Sequence, residues 1–390
     1  MPENKGLSKI TNFKILSFAC LILLLQSTVL LASDHGSDTN NHPNEQHQVE
    51  THHATTHEKF KPGDMILDHV KDAHDWHIMD LSPGHPVSIP LPVIIYDNGL
   101  HVFSSGKFEH GHKVVESKGN HYFLHKGKIY KTDASGHLNY DEKNKVSNEI
   151  PMDLSITKNV IALFVSAILL LWIFLSIAKS YKTRGKSAPK GIQSLLEPII
   201  IFIRDEVVKP SVGAHYEKFL PMLLTIFFFI FINNLMGLIP IAPFGANLTG
   251  NIAVTMVLSI VVFLVVSFSG NKHYWKHIFM PDVPKALWVL LIPIEILGVV
   301  LKPFVLMLRL FANITAGHII ILGFFSLIFI FGEKSAVAGF GTSILSVAFT
   351  LFMSVLELLV AFLQAYVFTL LASLYIGSAT EEHHHAEDHH

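Results

Sequence analysis

The chain changes character once, sharply. Residues 34–150 mix polar and charged groups with short apolar runs, whereas residues 156–378 are apolar with few interruptions. Runs at 156–178, 220–239 and 251–269 are each close to the roughly 20 residues that cross a bilayer core, and predict three spanning helices. Two longer runs, 285–331 and 335–377, meet at Phe331-Gly332-Glu333-Lys334. At about 1.5 Å per residue either would overrun a core of about 30 Å if it stood upright. They are expected to form an antiparallel hairpin of two long helices that tilt, bend or run partly along the membrane, with Pro293 and Pro303 as natural bending points. The stretch 191–212 differs: Ile192, Leu195, Leu196, Ile199, Ile200 and Ile203 recur at helical spacing and charges follow from Arg204. That pattern predicts an amphipathic helix on the membrane surface, not a span. The expected fold class is therefore an all-α polytopic membrane protein with five spanning helices, one interfacial helix and a small extramembrane module.

That module is read from a second pattern. Residues 87–96, 100–103, 121–124 and 128–130 alternate as short strands, and Asp97-Asn98-Gly99 and Lys126-Gly127 are hairpin turn signals. Together they predict a β-rich unit over 86–150, in which nothing resembles a catalytic constellation. Residues 34–85 carry few apolar groups to offset the entropy of ordering, which predicts disorder. Their histidines, at 35, 42, 47, 52, 53 and 57, suit either a solvated, pH-sensitive tail or a loose transition-metal binder, and their spacing fixes no coordination geometry. Residues 1–33 combine Lys5, Lys9 and Lys14 with the apolar run 15–31 and then Ala32-Ser33. This reads as a secretory signal, cleaved or retained as an anchor. Residues 381–390 read as a solvated tail beyond a domain spanning 151–380.

Charge sets the expected orientation. Lys179, Lys182, Arg184, Lys186 and Lys190 follow the first span, and Lys272, His273, Lys276 and His277 follow the third. The positive-inside rule places both flanks in the cytoplasm, so the N-terminal region lies outside and five spans leave the C-terminus inside. The net charge of −2 gives no footprint for nucleic acid. The single cysteine, Cys20, excludes an intrachain disulfide and a cysteine-based zinc site. No Gly-x-x-x-x-Gly-Lys-Ser/Thr phosphate-binding motif is present, and no cofactor is expected.

Candidate chemistry lies in the hairpin. Leu306-Met-Leu-Arg309-Leu-Phe-Ala-Asn313-Ile-Thr-Ala-Gly-His318 puts an arginine amid apolar residues, at a cost of about 2.5–3.5 kcal/mol on insertion scales. Arginine cannot avoid that cost by losing its proton. At 100° per residue Glu295, Lys302, Arg309, Asn313 and Ala316 share one face, with His318 nearly opposite. On the last helix Ser346, Glu357, Gln364 and Tyr375 form one stripe. The bland alternative is a set of interhelical contacts; Arg, His and Glu together at membrane depth favour a path that handles charge.

Leu308-Arg-Leu-Phe-Ala-Asn-Ile-Thr-Ala-Gly-His318 resembles the signature of subunit a of the F-type ATP synthase. The resemblance covers residues 150–380, including Asn233-Asn234-Leu-Met-Gly-Leu-Ile-Pro240, Lys302-Pro303 and Gln364-Ala-Tyr-Val-Phe368. It implies a proton-channel stator in the bacterial inner membrane that has no catalysis of its own and no metal. Its partners would be the c-ring, the subunit b peripheral stalk, the rest of the F1Fo complex and lipid. Arg309 would face the c-ring carboxylates and seal two half-channels, with Asn313, Gln364 and Lys302 supporting that interface. His318, Glu357 and Glu295 would lie on the proton path. Many relatives exchange the residue types at 318 and 357, which implies that the two interact directly. Ala312 stands where glycine is common, and Asn251 where an acid is frequent, so the entry path must find its titratable group elsewhere, extramembrane histidines included. Two rival classes remain at this stage. A stand-alone cation/proton transporter would predict internal repeats, which are not seen. A membrane-anchored metal-binding protein would leave Arg309, His318 and Glu357 unexplained.

Overall fold

The computed structural model describes Gly63, Ile66 and residues 71–80, 86–184, 190–239, 244–281 and 283–381. The signal segment, nearly all of the histidine-rich stretch and the tail beyond Glu381 lie outside the described residues.

The extramembrane module is built from strands β1 (Asp75–Asp80), β2 (Pro86–Pro90), β3 (Pro92–Tyr96), β4 (Leu100–Ser104), β5 (Val115–Ser117), β6 (Asn120–His125), β7 (Lys128–Thr132) and β8 (Met152–Asp153). They form three antiparallel sheets: β1-β2, β4-β3-β8 and β5-β6-β7. The two expected hairpins form where Asn98-Gly99 and Lys126-Gly127 adopt positive φ, which pairs a tight turn with the twist of its strands. Alternate residues Val93, Ile95 and Phe103 point inward and pack with Phe108, Val115, Tyr122 and Ile129.

Two sequence expectations need correction here. The run 87–96 is two strands, not one, divided at Leu91 between Pro90 and Pro92, whose missing N–H groups break the ladder. Residues 75–80 fall in the segment expected to be disordered, yet form β1. Local composition could not reveal this order. It comes from backbone pairing with β2 and from Trp76, which is buried against Ala162 and Ala246 of the membrane part.

The membrane part contains helices α1 (Lys158–Arg184), α2 (Ile192–Phe202), α3 (Lys209–Val212), α4 (Tyr216–Gly237), α5 (Ile252–Ser269), α6 (Lys272–Phe279), α7 (Trp288–Lys334) and α8 (Ala336–Thr380). Among the described residues five helical stretches are long and apolar enough to cross a membrane; α2 to α4 count as one of them. A π-helical turn, Ile203–Val208, joins α2 to α3. Leu196, Ile203, Val207, Val208 and Val212 turn inward on this stretch.

The main core lies where α4 and α5 meet α1, α7 and α8. It is filled by Leu223, Ile226, Phe227, Phe228, Val254, Leu258, Leu306, Leu310, Phe368 and Ile376. Helices α7 and α8 form the expected hairpin, and α7 continues as one helix through Pro293 and Pro303. Close approach at its tip uses glycine: a Cβ on Gly339 would come within 2.8 Å of the Gly332 backbone. At the other end a Cβ on Gly377 would run into the backbone carbonyl of Ser211, so α8 sits directly on α3.

Candidate functional site

Contacts along the hairpin fix its register. Lys302 Nζ lies 5.4 Å from the ring of Tyr375. The Glu357 carboxylate lies against Gly317, in the space a side chain there would need. Phe324 stacks on Phe349 at 5.2 Å. Interpolation between the first two contacts puts Arg309 level with Tyr366 and Val367, within one turn of Gln364 along the hairpin.

Helical phase then decides which groups face inward. Arg309, Ala312, Asn313 and Ala316 are exposed on the outer surface of the hairpin, whereas Leu306, Met307, Leu310 and Ile314 are buried. Among the described residues Arg309 forms no hydrogen bond and no ion pair. Around it is a broad apolar surface that includes Leu297, Val300, Leu301, Phe304, Val305 and Leu308, and Leu351, Phe352, Val355 and Leu359 of α8. A patch of that extent marks lipid or a partner, not water.

On α8, Ser346, Glu357 and Gln364 are buried as the stripe predicted, and Tyr375 is half-buried. Glu357 Oε2 has no hydrogen-bond partner among the described residues. A carboxylate oxygen kept this way is costly unless a proton or water meets it. His318 is half-buried and is the next residue after Gly317, so its backbone adjoins Glu357. Its Nε2 approaches Gly237, at the end of α4, to within 3.7 Å of where a side chain would begin. His318 and Glu357 are thus brought to neighbouring positions, with the imidazole turned toward α4.

One polar group was noted in the sequence without a role. Asn234 is buried; its Oδ1 accepts from Thr249 Oγ1 at 2.6 Å, and its Nδ2 donates to the Ala361 carbonyl at 3.2 Å. It ties α4, the loop before α5 and α8 together one helical turn from Glu357. The adjacent Asn233 turns back to the Phe229 carbonyl of its own helix. Thr249, buried with it, carried no sequence signal beyond its place in a short loop.

The remaining candidates lie toward the other end of the hairpin. Glu295 is half-buried and near α6, where burial, aided by the charge of Glu295, pushes the Tyr274 hydroxyl above its ordinary value. Lys302 lies between Glu295 and Arg309, capped by the ring of Tyr375. The candidates therefore separate into three levels. Glu357, His318 and Asn234 lie toward the β-module, Glu295 and Lys302 toward α6, and Arg309 with Gln364 between them.

Charge kept at such depth in a helical hairpin is expensive, and proteins that retain it move or gate ions; the fold and the three levels define a polytopic ion-handling membrane protein. A family model described as ATP synthase A chain matches residues 160–377, and one described as a domain of unknown function (DUF8433) matches residues 65–154. The chain is 48% identical over 243 residues to ATP synthase subunit a 2 of Chlorobaculum tepidum, covering 61% of this chain and 66% of that protein. It is 42% identical over 243 residues to ATP synthase subunit a of Chloroherpeton thalassium, covering 61% and 70%. With ATP synthase subunit a 2 of Prosthecochloris aestuarii it is 38% identical over 312 residues, covering 76% of this chain and 92% of that one. The chain belongs to the ATP synthase subunit a family.

Proposed function

We propose that this chain is the stator of the Fo sector, with two half-channels that meet at Arg309 against the carboxylates of the c-ring. The observation that carries the reading is the placement of Arg309: an exposed cation on an apolar helix face, within one turn of the level of Gln364, between two separate groups of polar residues. The β-module lies outside the cell and the α6 side faces the cytoplasm, an orientation that the basic flanks at 179–190 and 272–277 support. A proton enters past His318 and Glu357 and neutralises a c-ring carboxylate, which releases it from Arg309. The neutral group turns through lipid and returns on the other side of the arginine. Its proton then leaves past Lys302 and Glu295. Arg309 performs two tasks: it holds the ionised carboxylate and bars a direct proton leak. The membrane potential contributes about 2.3 kcal/mol per charge per 100 mV. Lipid covers the rest of the apolar surface, and the peripheral stalk fixes the chain against rotation.

The test is Arg309→Ala in the assembled complex. ATP synthesis is expected to stop while the vesicles leak protons passively. Coupled synthesis with alanine at 309 would overturn the reading.

A further inference from the structure

The β-module has no role in the Arg309 reading, and its junction with α1 holds a buried ion pair. His74 is 6% exposed, and its Nε2 lies 2.7 Å from Asp153 Oδ2. Its Nδ1 is buried without a partner among the described residues. The ring lines a cleft with Asp75, Ser88, Ser105, Gly106 and His110. The other wall of that cleft, the His110–Asp75 pair at 2.9 Å, is partly exposed, so one layer of side chains separates the buried imidazole from water on the module side.

From His74 a line of polar atoms leads toward the membrane. Asp72 accepts from Thr157 Oγ1 at 2.8 Å and from the Asn159 backbone N–H at 3.2 Å. Asn159 is 2% exposed and its Oδ1 has no partner among the described residues; the same holds for Nδ2 of the buried Asn247. One turn beyond Asn159, Ala162 packs with Trp76 and Ala246. The Ala246 carbonyl and His318 Nε2 both approach the position where a Gly237 side chain would begin, at 3.5 and 3.7 Å. Buried polar atoms that proteins leave unpaired are met by ordered water. The unpaired atoms of His74, Asn159 and Asn247 lie around the buried Trp76–Ala162–Ala246 contact, on the way to the surroundings of His318 and Glu357, and are positions that water of a proton path would occupy.

We propose that the His74–Asp153 pair is the proton-collecting site of the entry half-channel, and that the β-module is the vestibule that supplies it. The proposal rests on the Arg309 reading and on the module facing the proton-rich side. The proton binds at His74 Nδ1, and the imidazolium is held by Asp153 through Nε2. It then passes by water to His318 and Glu357, and His74 returns to its neutral form. Burial alone would lower the His74 pKa; the hydrogen bond and charge of Asp153, with Asp72 and Asp75, reverse this and raise it. The groups that face the site are therefore Asp153 from β8, Asp72 and Asp75 from its own segment, His110 through Asp75, and Lys158 of α1 acting on Asp72. A raised site gathers protons at a pH where bulk water supplies few.

The experiment uses the assembled complex in vesicles. ATP synthesis is measured at constant total proton-motive force while the pH on the module side is varied. For His74→Gln, which can still hydrogen-bond Asp153 but cannot titrate, synthesis should fall about tenfold below the parent at module-side pH 8, with the gap narrowing as that pH is lowered. Asp153→Asn should move the same profile in the same direction. A uniform loss at every pH, or no change in either variant, would overturn the proposal. Arg309→Ala runs in parallel: if it abolishes synthesis, such a result sinks only the vestibule role, and if it still supports synthesis, the reading beneath has failed.

Discussion

The carboxylate of Glu357 occupies the space that a side chain at Gly317 would fill. No other residue type at 317 leaves room for the acid in this position, and Glu357 keeps one oxygen unpartnered there among the described residues. The pair joins the two arms of the hairpin at the level where we propose that the entry path ends.

Gly317→Ala tests this contact. The methyl group meets the far end of a flexible side chain, so the helices need not separate; the carboxylate must move instead. A displacement of about 1 Å at a proton-transfer group costs up to 100-fold in rate. ATP-driven proton pumping should fall about 10- to 100-fold while the amount of assembled complex holds. Gly323→Ala, on the same helix with nothing within 4 Å of its new Cβ, is the control and should pump normally. Equal pumping by both variants would remove Glu357 from the path.

Asn234 and Thr249 provide a test of stability. Thr249→Val keeps the shape but leaves Asn234 Oδ1 buried without its donor, which costs about 1–3 kcal/mol. The thermal midpoint of the detergent-solubilised complex should fall. The double variant Thr249→Val/Asn234→Leu removes both partners and should lose less than the sum of the two single changes. Strict additivity would mean that the 2.6 Å hydrogen bond does not form in the membrane.

The end of α8 depends on a different feature. Gly377→Ala would drive a methyl group into the Ser211 backbone, which cannot swing aside as a side chain can. Overpacking of this kind costs about 1–3 kcal/mol. The expected result is a lower yield of assembled complex, with normal coupling in the part that assembles. Lost coupling at full yield would assign Gly377 to the ion path.

Much of this was legible in the sequence because the bilayer imposes simple rules. Length and hydropathy predicted the hairpin to within a few residues, and a period of 3.6 separated the Arg309–Asn313 face from that of His318. Charge among apolar residues marked Arg309 and Glu357 because its cost is high anywhere in such a segment. Other features depended on partners distant in sequence. β1 is ordered by β2 and by Ala246, and neither leaves a mark in the composition of residues 75–80. Thr249 matters because folding brings it to Asn234. The His318 ring turns toward Gly237 of α4, a residue far from it in sequence.

The junction between the module and α1 should also depend on pH, with a definite sign. Burial alone would lift Asp153, but the hydrogen bond and charge of His74 hold it below its ordinary 3.8; its contribution is present above that value and is lost as pH falls through the lowered one. His74 is raised above its ordinary 6.5, so its contribution is complete below 6.5 and is lost as pH rises through the raised value. Burial raises Asp72 despite its hydrogen bonds, so it favours the junction only at low pH and opposes it once ionised. The junction should therefore be tightest in mildly acidic solution and loosen toward alkaline pH. Hydrogen exchange on the assembled complex reads this at two amides, Lys158, which donates to the Ala73 carbonyl at 3.1 Å, and Asn159, which donates to Asp72. Corrected for the intrinsic pH dependence of exchange, their protection should fall as pH rises through the His74 transition, and His74→Gln should remove that step. Protection that stays flat across neutral pH in the parent would show that the pair does not titrate as a clamp.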